Sequence, residues 1–238
     1  MRVIVSSELA SVCPVFVGAC IEATVVNTVH DDALWTAIES LGESYRNTLS
    51  TETLKDISAI ASTRRVYKAC GKDPSRYRPA AEALIRRMLQ GKELYPRDTL
   101  VDLINLASMR YGYSIGGFDA DKFCGDTLTL GVGRSGEPYE GIGRGIMNIE
   151  GLPVYRDGKG GVGTPTSDNE RTKIGLDTTH LVVLVNGYDG SEEGVRKTAE
   201  YIQELLRSHC SSDGGRYFVY RMETDSFQKL KIGGDRRR

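Results

Sequence analysis

The sequence has little of what marks membrane proteins, metal centres and disulfide-rich secreted domains. Its 238 residues contain no run approaching the roughly 18 apolar residues that a membrane helix needs, so a membrane partner is not expected. The five cysteines are odd in number and form no CxxC pair, which favours reduced thiols and a cytoplasmic location. The three histidines show no ligand spacing, so neither a metal site nor a cofactor is expected.

Motifs of the common enzyme classes are also missing. There is no GxSxG turn and no Cys/His signature of a nucleophilic hydrolase. Gly158, Gly160 and Gly163 have GxGxxG spacing, but a dinucleotide-binding fingerprint must open a helix, and here Thr164-Pro165-Thr166-Ser167 follows. We therefore assign no dinucleotide-binding site to these glycines.

The N-terminus resembles a secretion signal only superficially. Ser6-Ser7-Glu8 interrupts the apolar core that such a signal requires, and Pro14 breaks it again. Two strands are predicted instead, at Val3–Val5 and Val15–Val26.

The rest of the chain predicts an α+β fold with mixed or antiparallel sheets and flanking helices, because strands and helices alternate without a regular βαβ period. We expect a single domain over residues 1–238, with a disordered tail at 233–238. Helices are predicted after Asp31 or Asp32, from Thr51, at Ala80–Gln90, at Arg97–Tyr111 with Gly112 as the stop, and after Ser191. Strands are predicted at Thr127–Val132, Pro138–Gly141, Leu152–Tyr155, Leu181–Val185 and Tyr217–Tyr220.

Positive charge is concentrated in one basic segment, Arg64–Arg87, which contains eight Lys and Arg against two acids. The segment carries +6 and the remainder of the chain −7. Such clustering indicates an anionic partner. We predict that nucleic-acid phosphates are contacted by Arg76, Arg78, Arg86 and Arg87. The alternative is an ordinary solvated face of an amphipathic helix.

A second segment, Ser114–Lys122, places the glycine pair Gly116-Gly117 after a predicted helix stop. Glycines allow the main chain to approach a ligand closely, and the carboxylates of Asp119 and Asp121 follow. The alternative is a tight turn capped by Asp119, because Asp side chains commonly bond to nearby backbone N–H groups.

Several short segments occur in an order that resembles a known family. They are Arg64–Pro79, Val101–Asn105, Gly116–Asp119, Gly125-Asp126 and Glu140–Gly143. Together they resemble the B3/B4 domain of the phenylalanyl-tRNA synthetase beta subunit, and in particular its free-standing, single-domain relatives. The resemblance covers about residues 50–187.

In the synthetase, this domain contains an editing pocket that hydrolyses tyrosine wrongly attached to the phenylalanine tRNA. The family's His-Ala-Phe-Asp turn corresponds to Gly116–Asp119, so Gly116 stands where the family has histidine. A glutamate that recognises the tyrosine hydroxyl corresponds to Leu184. Because an apolar residue cannot pair a buried hydroxyl, whose desolvation costs about 1–3 kcal/mol, editing of tyrosine is not expected.

Three functions follow as hypotheses, none of them a complete synthetase, since the chain shows no ATP-binding or aminoacylation portion. The first is a module that binds tRNA, or an aminoacyl or amino-acid-like ligand, near Gly116, Gly117, Asp119 and Glu140. The second is a hydrolase of mischarged tRNA that uses a bound water, with Asp119, Asp121 or Glu140 as the acid or base. The third is a protein-interaction domain without RNA.

Overall fold

The computed structural model describes residues 1–92 and 94–222, in which ten strands and six α-helices form. The strands are β1 (Arg2–Val5), β2 (Val17–Thr24), β3 (Ile115–Asp119), β4 (Thr127–Val132), β5 (Glu140–Gly141), β6 (Gly145–Ile146), β7 (Pro153–Arg156), β8 (Gly161–Gly163), β9 (His180–Gly187) and β10 (Arg216–Arg221). The α-helices are α1 (Ser7–Val12), α2 (Asp32–Thr48), α3 (Ser58–Ala69), α4 (Ala80–Leu89), α5 (Thr99–Tyr111) and α6 (Glu192–His209). The tail at 233–238, predicted to be disordered, lies outside the described residues.

Two four-stranded sheets form the centre of the protein. The first has the order β10-β2-β9-β3, and each neighbouring pair is antiparallel. The second has the order β1-β4-β7-β8, in which β1 and β4 are parallel and the other pairs antiparallel. Strands β5 and β6 pair separately with each other. Mixed and antiparallel sheets with flanking helices confirm the predicted α+β class.

The first sheet is buried on both faces. On β9, Val183 and Val185 pack into the core that includes α5 and α6, whereas Val182 and Leu184 pack into the core shared with β4 and β7. A strand covered on both sides has no polar face, which explains the continuous apolar run at 181–185 that predicted it. The molecule is therefore layered as helices, first sheet and second sheet.

Capping groups set the bounds of the long helices. The carboxylate of Asp98 accepts from Val101 N at 3.0 Å at the start of α5, and Gly112 ends that helix with φ +76°. Asp31 and Ser191 cap α2 and α6, as the sequence predicts. In the described part of the chain, no helix is both long and apolar enough to cross a membrane.

One sequence-based expectation about the helices is wrong. The helix predicted from Thr51 is a short 3-10 turn at Thr53–Asp56, and α3 begins only after Ile57, whose backbone is extended. Ser50 and Thr53 bond to each other and to local main chain, which competes with helix formation. Near the N-terminus, the polar residues that interrupt the apolar stretch form the short helix α1, which Ser6 caps.

Candidate functional site

The basic segment Arg64–Arg87 spans the second part of α3, a compact turn and most of α4. Within the turn, Tyr77 N donates to Asp73 O at 3.0 Å. Lys72 donates from Nζ to Asn148 O at 2.9 Å, and its Nζ lies 3.9 Å from the centre of the Tyr77 ring. Burial lowers the pKa of Lys72. The positive charge of Lys72 is therefore engaged in contacts within the protein.

An arginine cluster surrounds one buried carboxylate, Glu82, which is 1% exposed. Arg64 Nη1 lies 2.9 Å from Glu82 Oε2, and Arg86 Nη2 lies 3.2 Å from Oε1. Arg78 Nε lies 3.7 Å from Oε1. This cluster of Arg64, Arg78, Arg86 and Glu82 joins α3, the turn and α4, so two of the predicted phosphate-binding arginines have a structural role. Three cations against one anion still leave an excess of positive charge.

The other two predicted phosphate ligands lie outside this cluster. Arg76 is exposed, with its guanidinium 5.7 Å from the centre of the Tyr77 ring. Arg87 is half-buried, and its guanidinium lies 4.7 Å from the centre of the Tyr95 ring. The four arginines therefore do not form a uniform basic surface, and Arg76 is the most open of them.

The glycine pair lies inside strand β3, whereas the turn that Asp119 caps follows it, a 3-10 turn at Ala120–Lys122 in which Asp121 N donates to Asp119 Oδ1 at 3.1 Å. Gly116 pairs with Leu184 of β9, and Gly117 pairs with Val183. Gly116 and Leu184, which the sequence resemblance aligns with the family's histidine and glutamate, are thus direct cross-strand neighbours. Strand β9 is an inner strand of the first sheet and β3 is its edge strand, and Leu184 packs against residues of β4 and β7, so these positions lie where the two sheets meet.

Neighbouring side chains occupy the space that the glycines leave. A Cβ on Gly116 would lie 2.7 Å from the ring of Phe118, and a Cβ on Gly117 would collide with the end of Ile104. Gly163 on β8 also accommodates the Phe118 ring. Packing between the layers accordingly explains much of the Gly-Gly pattern without a ligand.

Asp168 is the residue at this site that sequence reasoning missed. Its Oδ2 accepts from Gly117 N at 3.2 Å, and its Oδ1 would lie 2.8 Å from a Cβ on Gly163. No hydrogen bond from the described residues reaches Oδ1. The residue is half-buried, but burial of its carboxyl group raises the pKa to about 8. We call Gly116, Gly117, Gly163 and Asp168 the glycine–aspartate site.

The predicted acids Asp119 and Asp121 are engaged in local contacts. Asp119 is 4% exposed, accepts from Thr178 Oγ1 at 2.9 Å and lies 3.0 Å from Lys122 Nζ. These hydrogen bonds and the Lys122 charge outweigh burial and lower the pKa of Asp119. Asp121 is exposed and lies 2.9 Å from His180 Nδ1. Asp119 therefore serves as a cap and an ion-pair partner in this structure.

Glu140 lies on β5 with its side chain exposed. The main chain of this region reaches the segment that carries Asp168, because Ile142 N donates to Asp168 O at 3.1 Å and Gly141 bridges to Asn169. No contact joins the Glu140 side chain to the glycine–aspartate site among the described residues. Of the predicted ligand-binding residues, Gly116 and Gly117 come together with Asp168, and Glu140 stands to one side.

The glycine–aspartate site can hold or exchange a proton near neutral pH, since its carboxyl group has one oxygen without a partner and a raised pKa. Within residues 1–92 and 94–222, no group of three His, Cys, Asp or Glu side chains is arranged to hold a metal ion.

Taken with the layered sheets, this site defines an α+β module with a buried carboxyl group at the contact between its two sheets. A family model for the B3/4 domain matches residues 62–216. The chain belongs to the B3/4 domain family, which confirms the resemblance seen in the sequence.

One similar solved structure is the N-terminal fragment of the phenylalanyl-tRNA synthetase beta-subunit from Pyrococcus horikoshii. The two share 15% sequence identity with a TM-score of 0.46, over 98% of this chain. The match covers 60% of that fragment, so this chain spans less than two thirds of its length. No curated protein matches the chain.

Proposed function

We propose that this chain is a module that binds the aminoacylated end of a tRNA, or an amino-acid-like molecule, at the glycine–aspartate site. The observation that carries the proposal is Asp168, whose Oδ1 receives no hydrogen bond from the described residues while Gly117 N holds Oδ2 at 3.2 Å. Membership of the B3/4 family supports a partner related to tRNA synthetases. The site also contains Gly116, which the sequence resemblance aligns with the family's histidine, and Gly116 pairs with Leu184, which it aligns with the family's glutamate.

An aminoacyl group carries an α-ammonium, and a carboxylate binds ammonium through a charge-assisted hydrogen bond. With a pKa of about 8, Asp168 holds a proton at pH 7 and must release it when an ammonium binds. Affinity for an amino acid should therefore rise as the pH rises from about 6 to 8, by up to about ten-fold per pH unit.

Calorimetric titration with the standard amino acids between pH 6 and 8 tests this. Asp168→Asn should remove the pH dependence and weaken binding. Asp121→Asn, at an exposed carboxyl outside the site, should leave both unchanged. Binding that does not vary with pH, or that survives in Asp168→Asn, contradicts the role of Asp168.

A tRNA partner would bring phosphates to the basic segment. We assign phosphate contacts to Arg76, Arg78, Arg86 and Arg87, with Arg76 the most accessible. Binding of tRNA should weaken as salt rises, and Arg76→Ala should reduce the logarithmic salt slope by about one. Filter binding over a series of salt concentrations measures both. Affinity that is insensitive to salt contradicts the tRNA partner.

Hydrolysis of a mischarged tRNA is the second candidate, and the raised pKa of Asp168 favours it. A general base works best with a pKa near the operating pH, which Asp168 has and Asp119 lacks. A positioned carboxyl group typically contributes ~10²–10⁴-fold to the rate. Incubation with a panel of mischarged tRNAs separates the two functions. Loss of the ester that Asp168→Asn abolishes supports catalysis, and binding without ester loss supports the module.

We also infer a cytoplasmic location. All five cysteines are free thiols, and burial raises the pKa of Cys20 and of Cys210 to about 12, which keeps these thiols protonated and unreactive. Reduced thiols are typical of a cytoplasmic protein. Fractionation of cells that express the full chain tests the location.

A further inference from the structure

A small cavity beside helices α2, α4 and α5 shares only Arg87 with the residues of the proposed function. It measures about 140 Å³ and shares the side chains of Trp35, Ile38 and Leu94 with a larger groove of about 820 Å³. Its remaining walls come from Leu84, Arg87, Tyr95, Arg97, Asp102 and Asn105. The cavity thus combines two aromatic rings, two arginines and a side-chain amide.

The aromatic rings are held in place and remain accessible. Trp35 is half-buried, and its indole Nε1 donates to Asp102 Oδ2 at 2.7 Å. The ring of His30 stacks on the indole, with 6.2 Å between the two ring centres. Tyr95 is 64% exposed, with the Arg87 guanidinium 4.7 Å from its ring centre. Fixed aromatic faces of this kind suit a flat heterocyclic ligand, because every nucleobase has a π-face that can stack.

The polar groups of the cavity still have hydrogen-bonding capacity. Asn105 is half-buried, and its side-chain amide makes no hydrogen bond with the described residues. An amide offers a donor and an acceptor together, which matches the edge of a base. The guanidinium of Arg97 is exposed and has no partner among the described residues. Its planar fork fits phosphate oxygens.

Charge distinguishes the small cavity from the larger groove. The larger groove is lined by the acids Asp32, Glu39 and Glu43 against the cations Arg46 and Lys92, whereas the small cavity is lined by Arg87 and Arg97 against Asp102. Cations outnumber acids only in the small cavity, so a phosphate should lie toward its arginines rather than in the groove.

We propose that this cavity binds a nucleotide, with the base against Trp35 and Tyr95, Asn105 at the base edge, and the phosphate at Arg97. The proposal uses no residue of the glycine–aspartate site, so it stands or fails independently of the amino-acid ligand. The nucleotide can be free, or it can be one residue of a single-stranded RNA.

Trp35 is the single tryptophan of the chain, so quenching of its fluorescence reports on this cavity and the adjoining groove, and the variants below separate the two. The probes are the four nucleoside 5′-monophosphates, the matching nucleosides and a short single-stranded RNA. We expect quenching that saturates. A dissociation constant equal for RNA and monophosphate identifies a free nucleotide, and a lower one for RNA identifies RNA as the source.

Variants assign the contacts. Tyr95→Ala, at an exposed position that folding does not need, should weaken binding about ten-fold through lost stacking. Asn105→Ala should weaken the binding of all probes. Arg97→Ala should weaken the binding of the monophosphates several-fold and leave the binding of the nucleosides unchanged. Arg110→Ala is the control, because Arg110 lies 4.8 Å from the Tyr201 ring, a similar pairing outside the cavity.

Absence of quenching by any probe at millimolar concentration overturns the proposal. So does quenching that Tyr95→Ala and Asn105→Ala leave unchanged. Equal weakening of nucleosides and monophosphates in Arg97→Ala overturns the phosphate assignment. Saturable quenching that weakens in Tyr95→Ala and persists in Arg110→Ala supports the nucleotide site.

Discussion

Two enclosed carboxyl groups in this protein have opposite surroundings. Glu82 is shared by the guanidinium groups of Arg64, Arg78 and Arg86, whereas the carboxyl group of Asp168 accepts a single hydrogen bond from the described residues, that of Gly117 N. A buried carboxylate with cations around it is committed to structure. A buried carboxyl group without neighbouring cations keeps its proton to a higher pH, and Asp168 Oδ1 has no hydrogen-bond partner among the described residues. Half of the eight cations in the basic segment, namely Arg64, Lys72, Arg78 and Arg86, are thus engaged in internal contacts, and the less conspicuous aspartate is the better candidate for chemistry.

The largest effect should come from removing the Glu82 charge. Glu82→Gln leaves three arginines without their shared anion, and breaking a buried ion pair costs about 3–5 kcal/mol of the free energy of unfolding. Urea denaturation measures it. The matched control is Glu39→Gln on the exposed face of α2, which should change stability by under about 0.5 kcal/mol. A similar small loss for both variants would remove the contrast with Asp168.

Asp168 should make stability fall as the pH rises. Its native pKa is about 8, whereas an unfolded Asp has about 3.9, so between these values the native state binds a proton that the unfolded state has lost. Asp168→Asn keeps an acceptor for Gly117 N, should flatten this dependence, and should raise the free energy of unfolding at pH 8 by about 2 kcal/mol. Asp126→Asn, at an exposed site, should change neither the pH dependence nor the free energy of unfolding at pH 8. Parallel pH profiles for wild type and Asp168→Asn would refute the raised pKa.

Closing the space beside Asp168 should have an intermediate effect. Gly163→Ala places a methyl group 2.8 Å from Asp168 Oδ1 and against the Phe118 ring, and such overpacking costs about 1–3 kcal/mol. Thermal denaturation measures the loss. Gly42→Ala, in helix α2 beside the flexible Met88, is the comparison and should be close to neutral. An unaffected Gly163→Ala would mean that the site is looser than its distances imply.

The smallest effect on stability should come from Arg76→Ala. Arg76 is exposed and outside the cluster around Glu82, so the free energy of unfolding should change by less than about 0.5 kcal/mol. Arg78→Ala, which removes one partner of Glu82, should cost more. Chemical denaturation of the two variants side by side tests whether the basic segment divides into a structural part and an open part.

Local patterns predicted the parts of the fold that depend on local interactions. Helix α5 is predicted by the spacing of its apolar residues and by Gly112, whose left-handed φ of +76° is a conformation that glycine adopts readily. Strand β9 follows from its apolar run. The early helix from Thr51 was wrong because hydroxyl groups of Ser50 and Thr53 bond locally, an effect that apolar spacing does not reveal.

The candidate site was harder to predict because it is assembled by pairing over long distances. Gly117 and Asp168 are 51 positions apart and meet only because β3 and β8 lie at the contact of two sheets. Asp168 sits in a polar turn and resembles a surface acid in the sequence. The glycine pair pointed to the correct place, although it forms a strand, and only the three-dimensional arrangement links it to the carboxyl group.

Strand β2 has a consequence for anyone who wishes to trim this protein. It lies between β10 and β9 in the first sheet, and its Cys20 and Ile21 are fully buried, yet the family match begins only at residue 62. A fragment cut at the family boundaries would lose β1, β2 and nearly all of β10, and would leave an open edge on β9. The segment shared with relatives is therefore smaller than the unit that folds, and an expressed 62–216 fragment should aggregate.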